Sequence, residues 1–480
     1  MDRCRVFIIT EATEATGWGH IGRCTAIYEA FREKGMTPVF IVNGGEIAAQ
    51  LLEGKPFELF DWTLDTERLL KLIDNSDIAV VDSYIAKFEH YDLISRKVKS
   101  PVYIDDNVRL TYPKGTVVNG TIFAEDLPYS FSSDVKFRLG SPYILLRKDF
   151  WTITPKVILP EIQDVLVTFG GSDIRNLTPT VLRVLCDTFP KWTKHIVIGS
   201  DLTNQDDIYS ELDKKTTIYK SLSALEMKSL MMKCDLAISA AGQTMNELAR
   251  CGLPTVAVMV ISNQIDNIRG WMKSGFISGY IDSENFQSVD LLSKISSLKD
   301  AEVRKRLSAI GQQNVDGKGA RRIASSAFIP LIELSPALST DLLPLLDLAN
   351  DPVVRSNSFS SIAISLEEHR QWFERVRNSK NTLLLVARLS GVLLGQVRFD
   401  KKVEGIVTSI SMTSTFRGWG LGNTLLQKSL NRLQTEWSDI HYVIAYVKKT
   451  NIASRRIFEK GGYKFIEEKD GVCEYRYCYV

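Results

Sequence analysis

Thr16-Gly17-Trp18-Gly19-His20-Ile21-Gly22-Arg23 stands between a short apolar run, Arg5-Val6-Phe7-Ile8-Ile9, and a stretch from Thr25 to Glu33 with helical apolar spacing. Strand, glycine-rich turn and helix, in that order, open a parallel α/β domain. Such a turn presents backbone N–H groups at a helix N-terminus, a setting that suits a diphosphate. The turn also holds a histidine. An imidazole titrates near neutral pH, so His20 at the mouth of a cleft is a candidate general base. A helix-capping histidine without chemistry is the plain alternative.

The same rhythm continues outward. Strands are predicted at Val6–Ile9, Val39–Val42, Ile78–Val81 and Val102–Ile104, with helices such as Thr25–Lys34 and Thr66–Ile73 between them. Pro155 and Pro160 mark a linker. The alternation then restarts at Val165–Phe169, His195–Ile198, Thr217–Tyr219, Leu236–Ser239 and Thr255–Val258. Two such domains in tandem place a cleft between the carboxyl ends of two sheets. Near Leu334 the pattern changes to helices (Asp341–Ala349, Leu366–Arg377) followed by strands (Leu383–Arg388, Val392–Phe399, Val407–Met412), with a tight turn at Ser390-Gly391. The expected domains are 1–152, 153–333 and 334–480, the last α+β.

With 480 residues, 44% hydrophobic and 24% charged, the composition is that of an ordinary globular protein. A net charge of +2 gives no electrostatic case for nucleic acid. The first apolar run is too short for a signal peptide or a spanning segment. Seven cysteines without paired spacing argue against zinc, and no metal is expected. The thiols are expected to be reduced and buried, and the protein cytoplasmic. No oligomeric state is assigned.

Two further junctions repeat the strand–loop–helix pattern: Phe169-Gly170-Gly171-Ser172-Asp173 and Ala240-Ala241-Gly242-Gln243-Thr244. Both are placed to hold phosphate on backbone donors. Glu247 follows on the second helix, where a carboxylate can accept a ribose diol. Asn263-Gln264 ends another strand and can orient a sugar or a water. Asp82 and Asp105-Asp106 lie on the same rim, able to hold sugar hydroxyls, to tune His20, or to cap the next helix.

These residues together resemble the UDP-sugar hydrolase of pseudaminic acid synthesis, over about residues 3–330. The resemblance implies a GT-B fold, a pair of Rossmann-like domains, and release of UDP from UDP-2,4-diacetamido-2,4,6-trideoxy-β-L-altropyranose. It makes His20 the catalytic residue that activates water at the anomeric carbon, and Asn263 an amide that positions the reacting groups. The candidate UDP-sugar contacts are Gly17, Gly19, Arg23, Asp82, Tyr84, Asp105, Gly170, Gly171, Ser172, Gly242, Gln243, Thr244, Glu247 and Gln264.

In the last domain Arg417-Gly418-Trp419-Gly420-Leu421-Gly422 lies between a strand and a helix. Its glycines let backbone N–H groups close on a pyrophosphate. With the string Asn451, Ser454 and Phe458-Glu459-Lys460-Gly461-Gly462-Tyr463, it resembles the GCN5-related N-acetyltransferases over about residues 335–480. The resemblance implies acetyl-CoA as co-substrate, held by Met412, Arg417, Gly418, Gly420, Leu421, Gly422, Asn451 and Ser454. It also suggests acceptor-side contacts from Asn350, Arg355 and Ser358. Many relatives carry tyrosine where this chain has Phe458, so the proton for the departing thiolate must come from elsewhere.

Joined, the two halves look like a bifunctional enzyme that acetylates a UDP-linked 4-amino sugar and then hydrolyses it. The alternatives are the same two reactions in another nonulosonic acid pathway, a UDP-sugar glycosyltransferase fused to an acetyltransferase, and a catalytically dead sugar-nucleotide sensor.

Overall fold

The first strand, β1 (Val6–Ala12), is buried along its whole length, as expected of a strand covered on both faces. In the computed structural model, which describes residues 4–13, 16–170, 173–199, 205–437 and 440–479, β1 is an interior strand of a seven-stranded sheet. The other strands are β2 (Val39–Gly44), β3 (Phe57–Leu59), β4 (Ile78–Asp82), β5 (Ser100–Ile104), β6 (Gly115–Asn119) and β7 (Val135–Leu139). The order is β3-β2-β1-β4-β5-β6-β7, all parallel. Thr10 pairs with Asp82 and Asp82 with Ile104, so the carboxyl ends of β1, β4 and β5 lie level. The order reverses beside β1, which is where an open parallel sheet leaves a crevice.

The second sheet repeats the plan with β8 (Asp164–Thr168), β9 (Thr193–Ile198), β10 (Thr216–Lys220), β11 (Leu236–Ala240), β12 (Thr255–Met259) and β13 (Tyr280–Asp282). Its order is β10-β9-β8-β11-β12-β13, again parallel. Val167, Ile196, Ile238 and Val256 pack in its core with Val181 and Leu185 of the helix Leu177–Thr188. Both sheets belong to one compact unit, residues 6–33 and 37–324. Fold and pattern thus agree on a GT-B-like pair of Rossmann-like domains.

A second compact unit comprises residues 325–480 with short segments from the chain's start. Its sheet holds β14 (Ile332–Pro336), β15 (Thr382–Leu389), β16 (Val392–Lys402), β17 (Gly405–Met412), β18 (Tyr442–Lys448), β19 (Lys464–Lys469) and β20 (Val472–Cys478), in the order β14-β15-β16-β17-β18-β20-β19. The sheet opens at Ile332, so its first strand straddles residue 334. The β15–β16 turn is Ser390-Gly391, both with positive φ, as the tight hairpin turn with matching twist requires. All pairings are antiparallel except β17 with β18. Those two pair only from Ile406 to Thr408 against Val443 to Ala445. Beyond that point β17 follows β16 and β18 follows β20, and the two strands part.

Several helices begin at side-chain caps. Asp65 caps Thr66–Ile73 and Ser365 caps Leu366–Arg377, and both helices have the bounds read from the sequence. The first helix differs: it runs from Gly19 to Arg32 rather than starting at Thr25. Gly17, at φ +72°, donates its N–H to the Thr13 carbonyl at 2.8 Å and closes the turn early. His20 therefore stands in the first helical turn.

Candidate active sites

At the carboxyl edge of the first sheet, His20 is 4% exposed and Asp82, the last residue of β4, is fully buried. His20 Nδ1 lies 2.8 Å from Asp82 Oδ1. No described residue hydrogen-bonds Nε2. A carboxylate on Nδ1 selects the tautomer that carries its proton there and leaves the Nε2 lone pair free. Arg23, one helical turn after His20, donates Nε and Nη2 to Asp82, each at 2.5 Å, and Nη1 to Asp106 at 2.7 Å. Its Nη2 is also 3.1 Å from His20 Nδ1. Burial raises the Asp82 carboxyl, but the Arg23 charge and the hydrogen bonds from His20 and Arg23 outweigh it and hold it down at about 2.

Tyr84 packs its ring edge-on to His20, with centroids 4.5 Å apart, and donates its hydroxyl to Asp106 Oδ2 at 2.5 Å. Burial, reinforced by the Asp106 carboxylate, pushes this phenol up. The loop that carries Tyr84 is fastened from below by Glu11, a fully buried carboxylate on β1. Glu11 accepts from the Ser83 hydroxyl, from Tyr84 N at 2.6 Å and from Ile85 N at 3.3 Å. Cys24 is buried beside Asp82, and burial together with that carboxylate raises its thiol.

The adjacent carboxylates after β5 divide. Asp105 is buried and accepts from Tyr129 Oη at 2.7 Å, Val108 N at 3.0 Å and Arg109 N at 3.4 Å. It fastens the loop and makes no hydrogen bond to His20, whereas Asp106 lines the cleft. Arg23, expected on the ligand, has its guanidinium engaged by two carboxylates.

A cleft in this unit is lined by Arg23 and Asp106 from the first domain and by Gln243, Asn246 and Asn267 from the second. Gln243 precedes the helix Thr244–Cys251, whose N-terminus has no side-chain cap. The N–H groups of Met245 and Asn246 bond the Gly242 and Gln243 carbonyls at 3.2 and 3.0 Å, and the positive end of the helix dipole suits an anion. Gly242 lies beside them, and a Cβ there would meet nothing closer than Gln264 Nε2 at 3.7 Å. Asn267 donates to the Ala241 carbonyl at 2.7 Å and holds this loop in shape.

The loop at Gly170 is different. Asp173 accepts from Leu177 N at 3.0 Å and Thr178 N at 2.9 Å, so the following helix already carries a carboxylate at its N-terminus. That occupies donors expected for the diphosphate and places negative charge among them. Gly170 has φ +86°; Gly171 and Ser172 lie outside the described residues.

Glu247, in the first turn of Thr244–Cys251, is gripped by Arg147 from the linker between the domains. Gln264 donates nothing across the cleft in this arrangement; its Oε1 accepts from Val260 N at 2.9 Å. Asn263 is exposed on the short turn Ser262–Gln264. Gly17 and Gly19 bound the entry to the first helix, where no side-chain cap is present and a Cβ at either would meet no atom within 4 Å. Sequence reasoning passed over Arg147, Glu11 and Asn267, whose partners lie far away in the chain.

In the second unit, Gly418 and Gly420 have φ +80° and +78° and face open space. The helix Gly422–Glu436 that follows has no side-chain cap. Gly422 is needed for close approach, since a Cβ would lie 2.8 Å from Ile457 and 3.2 Å from Met412 Sδ. The glycine loop thus meets the parted ends of β17 and β18, with Met412 at the end of β17. Leu421 is fully buried and contributes core packing rather than a side-chain contact. Arg417 is paired with Asp351 at 2.5 Å. Asn451 caps its helix by accepting from Ser454 N at 3.1 Å, so the two expected cofactor contacts bind each other.

The expected acceptor residues are occupied within their own loop. Asn350 exchanges hydrogen bonds with Ile364, both at 2.8 Å. Arg355 donates to the carbonyls of Ala349, Ser360 and Ile362 and to Ser358 Oγ. They shape the 358–364 segment. Phe458 is buried edge-on to Tyr463 at 5.0 Å, and the Tyr463 hydroxyl is buried without a hydrogen-bond partner among the described residues. His369 is a core histidine on the helix Leu366–Arg377.

Among the described residues no group of three or more His, Cys, Asp or Glu side chains is arranged to hold a metal ion, and no helix is long and apolar enough to cross a membrane. Cys24, Cys186, Cys234, Cys251, Cys473 and Cys478 are free thiols; Cys24, Cys234, Cys251 and Cys473 are buried, whereas Cys478 is exposed.

Comparison with known proteins divides along the same line. Residues 332–464 match the family model described as an acetyltransferase (GNAT) domain, and residues 170–265 match one described as a protein of unknown function, DUF354. A pseudaminic acid cytidylyltransferase and UDP-2,4-diacetamido-2,4,6-trideoxy-β-L-altropyranose hydrolase of Helicobacter pylori is 28% identical over 266 residues, 55% of this chain and 46% of that protein. The chain therefore spans less than half of that relative. An uncharacterized protein of Methanocaldococcus jannaschii is 22% identical over 96% of both chains. Among solved structures, MurG of Acinetobacter baumannii matches 67% of this chain and 99% of its own, at 14% identity and a TM-score of 0.49. The hydrolase relative and the acetyltransferase domain bear out the resemblance read in the motifs.

Proposed function

We propose that this chain is a cytoplasmic bifunctional enzyme that acetylates the 4-amino group of a UDP-linked 4-amino-4,6-dideoxy-N-acetyl-altrosamine with acetyl-CoA and hydrolyses UDP from the product. The observation that supports the hydrolase most directly is the His20–Asp82 hydrogen bond, which leaves Nε2 without a partner. In this reading Nε2 takes a proton from water as the oxygen attacks the anomeric carbon. The bond from that carbon to the diphosphate oxygen breaks, and UDP leaves with the electron pair. The uncapped helix end at Gly242–Thr244 faces the developing negative charge. Glu247, held by Arg147, takes the ribose diol, and Asn263 remains a candidate for positioning the sugar.

The acetyltransferase reading rests on the family match and on the glycine loop set at the parting of β17 and β18. Gly418 and Gly420 give backbone donors room to close on a pyrophosphate, and the dipole of the helix Gly422–Glu436 adds to the attraction. The amine attacks the thioester carbonyl and the coenzyme A thiolate departs; Phe458 has no proton to return to it.

Mass spectrometry of a UDP-4-amino sugar incubated with the protein and acetyl-CoA tests both halves. The expected products are free acetylated sugar, UDP and coenzyme A. Acetylation without UDP release would overturn the hydrolase assignment, and UDP release without acetylation would overturn the other.

A further inference from the structure

The two oxygens of Asp106 stand in different surroundings. Oδ2 accepts from Arg23 Nη1 at 2.7 Å and from the Tyr84 hydroxyl at 2.5 Å. Oδ1 takes no hydrogen bond from any described residue. The residue lines the cleft and its side chain is 21% exposed, so this oxygen is within reach of a ligand. Two donors on one oxygen fix the carboxylate plane, and a fixed acceptor discriminates between ligands better than a mobile one.

The neighbouring groups narrow what this oxygen can receive. Asp82 and Asp106 engage Arg23 through Nε, Nη1 and Nη2, so its positive charge is already matched by carboxylates. Arg23 against two carboxylates leaves this end of the cleft with an excess of negative charge, which disfavours a phosphate. The opposite end, at the uncapped helix Thr244–Cys251, is where an anion is favoured. A nucleotide sugar laid along the cleft then places its diphosphate at that helix and its uncharged, donor-bearing sugar at Asp106.

We propose that Asp106 reads the sugar, with Oδ1 accepting a hydrogen bond from a hydroxyl or an acetamido N–H of the bound nucleotide sugar. The proposal rests on the UDP-sugar reading above. It separates Asp106 from its neighbour Asp105, which fastens the loop, and from Asp82, which holds the base. It also explains why Tyr84 is drawn to Asp106: the phenol orients the carboxylate while its ring packs against His20, so sugar recognition and base placement share one support.

The test is Asp106→Asn, assayed on the full chain with the UDP-linked diacetamido sugar and with UDP alone as a competitive inhibitor. The expected result is a KM for the sugar nucleotide raised about tenfold or more, the loss that follows removal of a hydrogen bond to a charged group. Inhibition by UDP should stay within about twofold, because UDP has no sugar to read. Retained UDP binding also shows that the variant is folded. A rise in the UDP inhibition constant that keeps step with KM, or no change in either, would overturn the proposal. Should Asp106→Asn be insoluble, Asp106→Ser makes the same comparison. The underlying reading fails differently: the unsubstituted protein would then neither bind UDP nor release it from the sugar nucleotide.

Discussion

Arg147 closes two N–H groups on the two oxygens of Glu247, at 2.8 and 2.9 Å, across 100 residues of sequence. A planar fork on a carboxylate fixes its orientation as well as its charge. Arg147 lies in the linker just before Lys148–Phe150, so the orientation of a second-domain side chain depends on the segment that joins the domains.

If Glu247 takes the ribose, its amide and its unsupported form should both bind the nucleotide less well. Glu247→Gln is expected to weaken UDP binding about tenfold, and Arg147→Met should weaken it in the same direction. Calorimetric titration with UDP measures both. Unchanged affinity in Glu247→Gln would remove the ribose role.

His20→Asn should lower turnover of the UDP-sugar by roughly 10²–10⁴-fold, the usual contribution of a positioned general base. UDP affinity should be nearly retained, since the proposed function puts the nucleotide at Gly242–Glu247 and away from His20. Steady-state rates and UDP inhibition, measured on the same preparation, separate the two. Equal losses in both would count against the base role.

Asp82 gives a pH dependence with a definite sign. Its carboxyl is held at about 2 in the folded protein, below the ordinary 3.8. A depressed carboxyl contributes stability that is present above the unfolded value and is lost as pH falls through the folded one. The contribution is about 2 kcal/mol, fully present above about pH 5 and lost progressively down to about pH 1. Asp82→Asn should lose it and, in addition, leave Arg23 with one carboxylate instead of two. Denaturant melts at pH 7 and pH 3 should show the gap between the two proteins narrowing in acid; a constant gap would contradict the assignment.

Gly420→Ala tests the acetyl-CoA loop without crowding any side chain, because a Cβ there meets no atom within 4 Å. The difficulty is the backbone, at φ +78°, which costs an L-residue about 1 kcal/mol. Acetyl-CoA binding should fall at least severalfold while the UDP-sugar hydrolase rate stays unchanged. A hydrolase rate that dropped with it would show that the substitution acts on the whole chain.

Much of this was legible in the sequence because it is local. Apolar runs of strand length and caps such as Ser365 with Glu368 need no distant partner, and the helix Leu366–Arg377 follows from them. His20 and Asp82 were legible because each sits where a parallel strand ends. Which of Asp105 and Asp106 faces the cleft was not, since it depends on how the chain turns after β5 and on Tyr129, a residue of another loop. Nor was the role of Asp173, whose spacing to Leu177 and Thr178 is that of a cap while its neighbours read as a phosphate loop. Arg147 and Glu11 act on groups about 100 and 70 residues away, and periodicity carries no trace of such pairs.

The parting of β17 from β18 has a consequence for hydrogen exchange. From Ile410 to Met412, β17 pairs on its β16 edge alone, while β18 from Val447 onward pairs on its β20 edge alone. Backbone amides directed into the wedge have no ladder partner across it, although they lie near the middle of a seven-stranded sheet. Deuterium should enter those positions within seconds, while the amides between β15 and β16 stay protected until the domain opens as a whole. A pantetheine arm carries amide groups of its own, so acetyl-CoA would act there as a short length of borrowed strand, and its arrival should be visible as the sudden slowing of a few amides in the interior of the sheet.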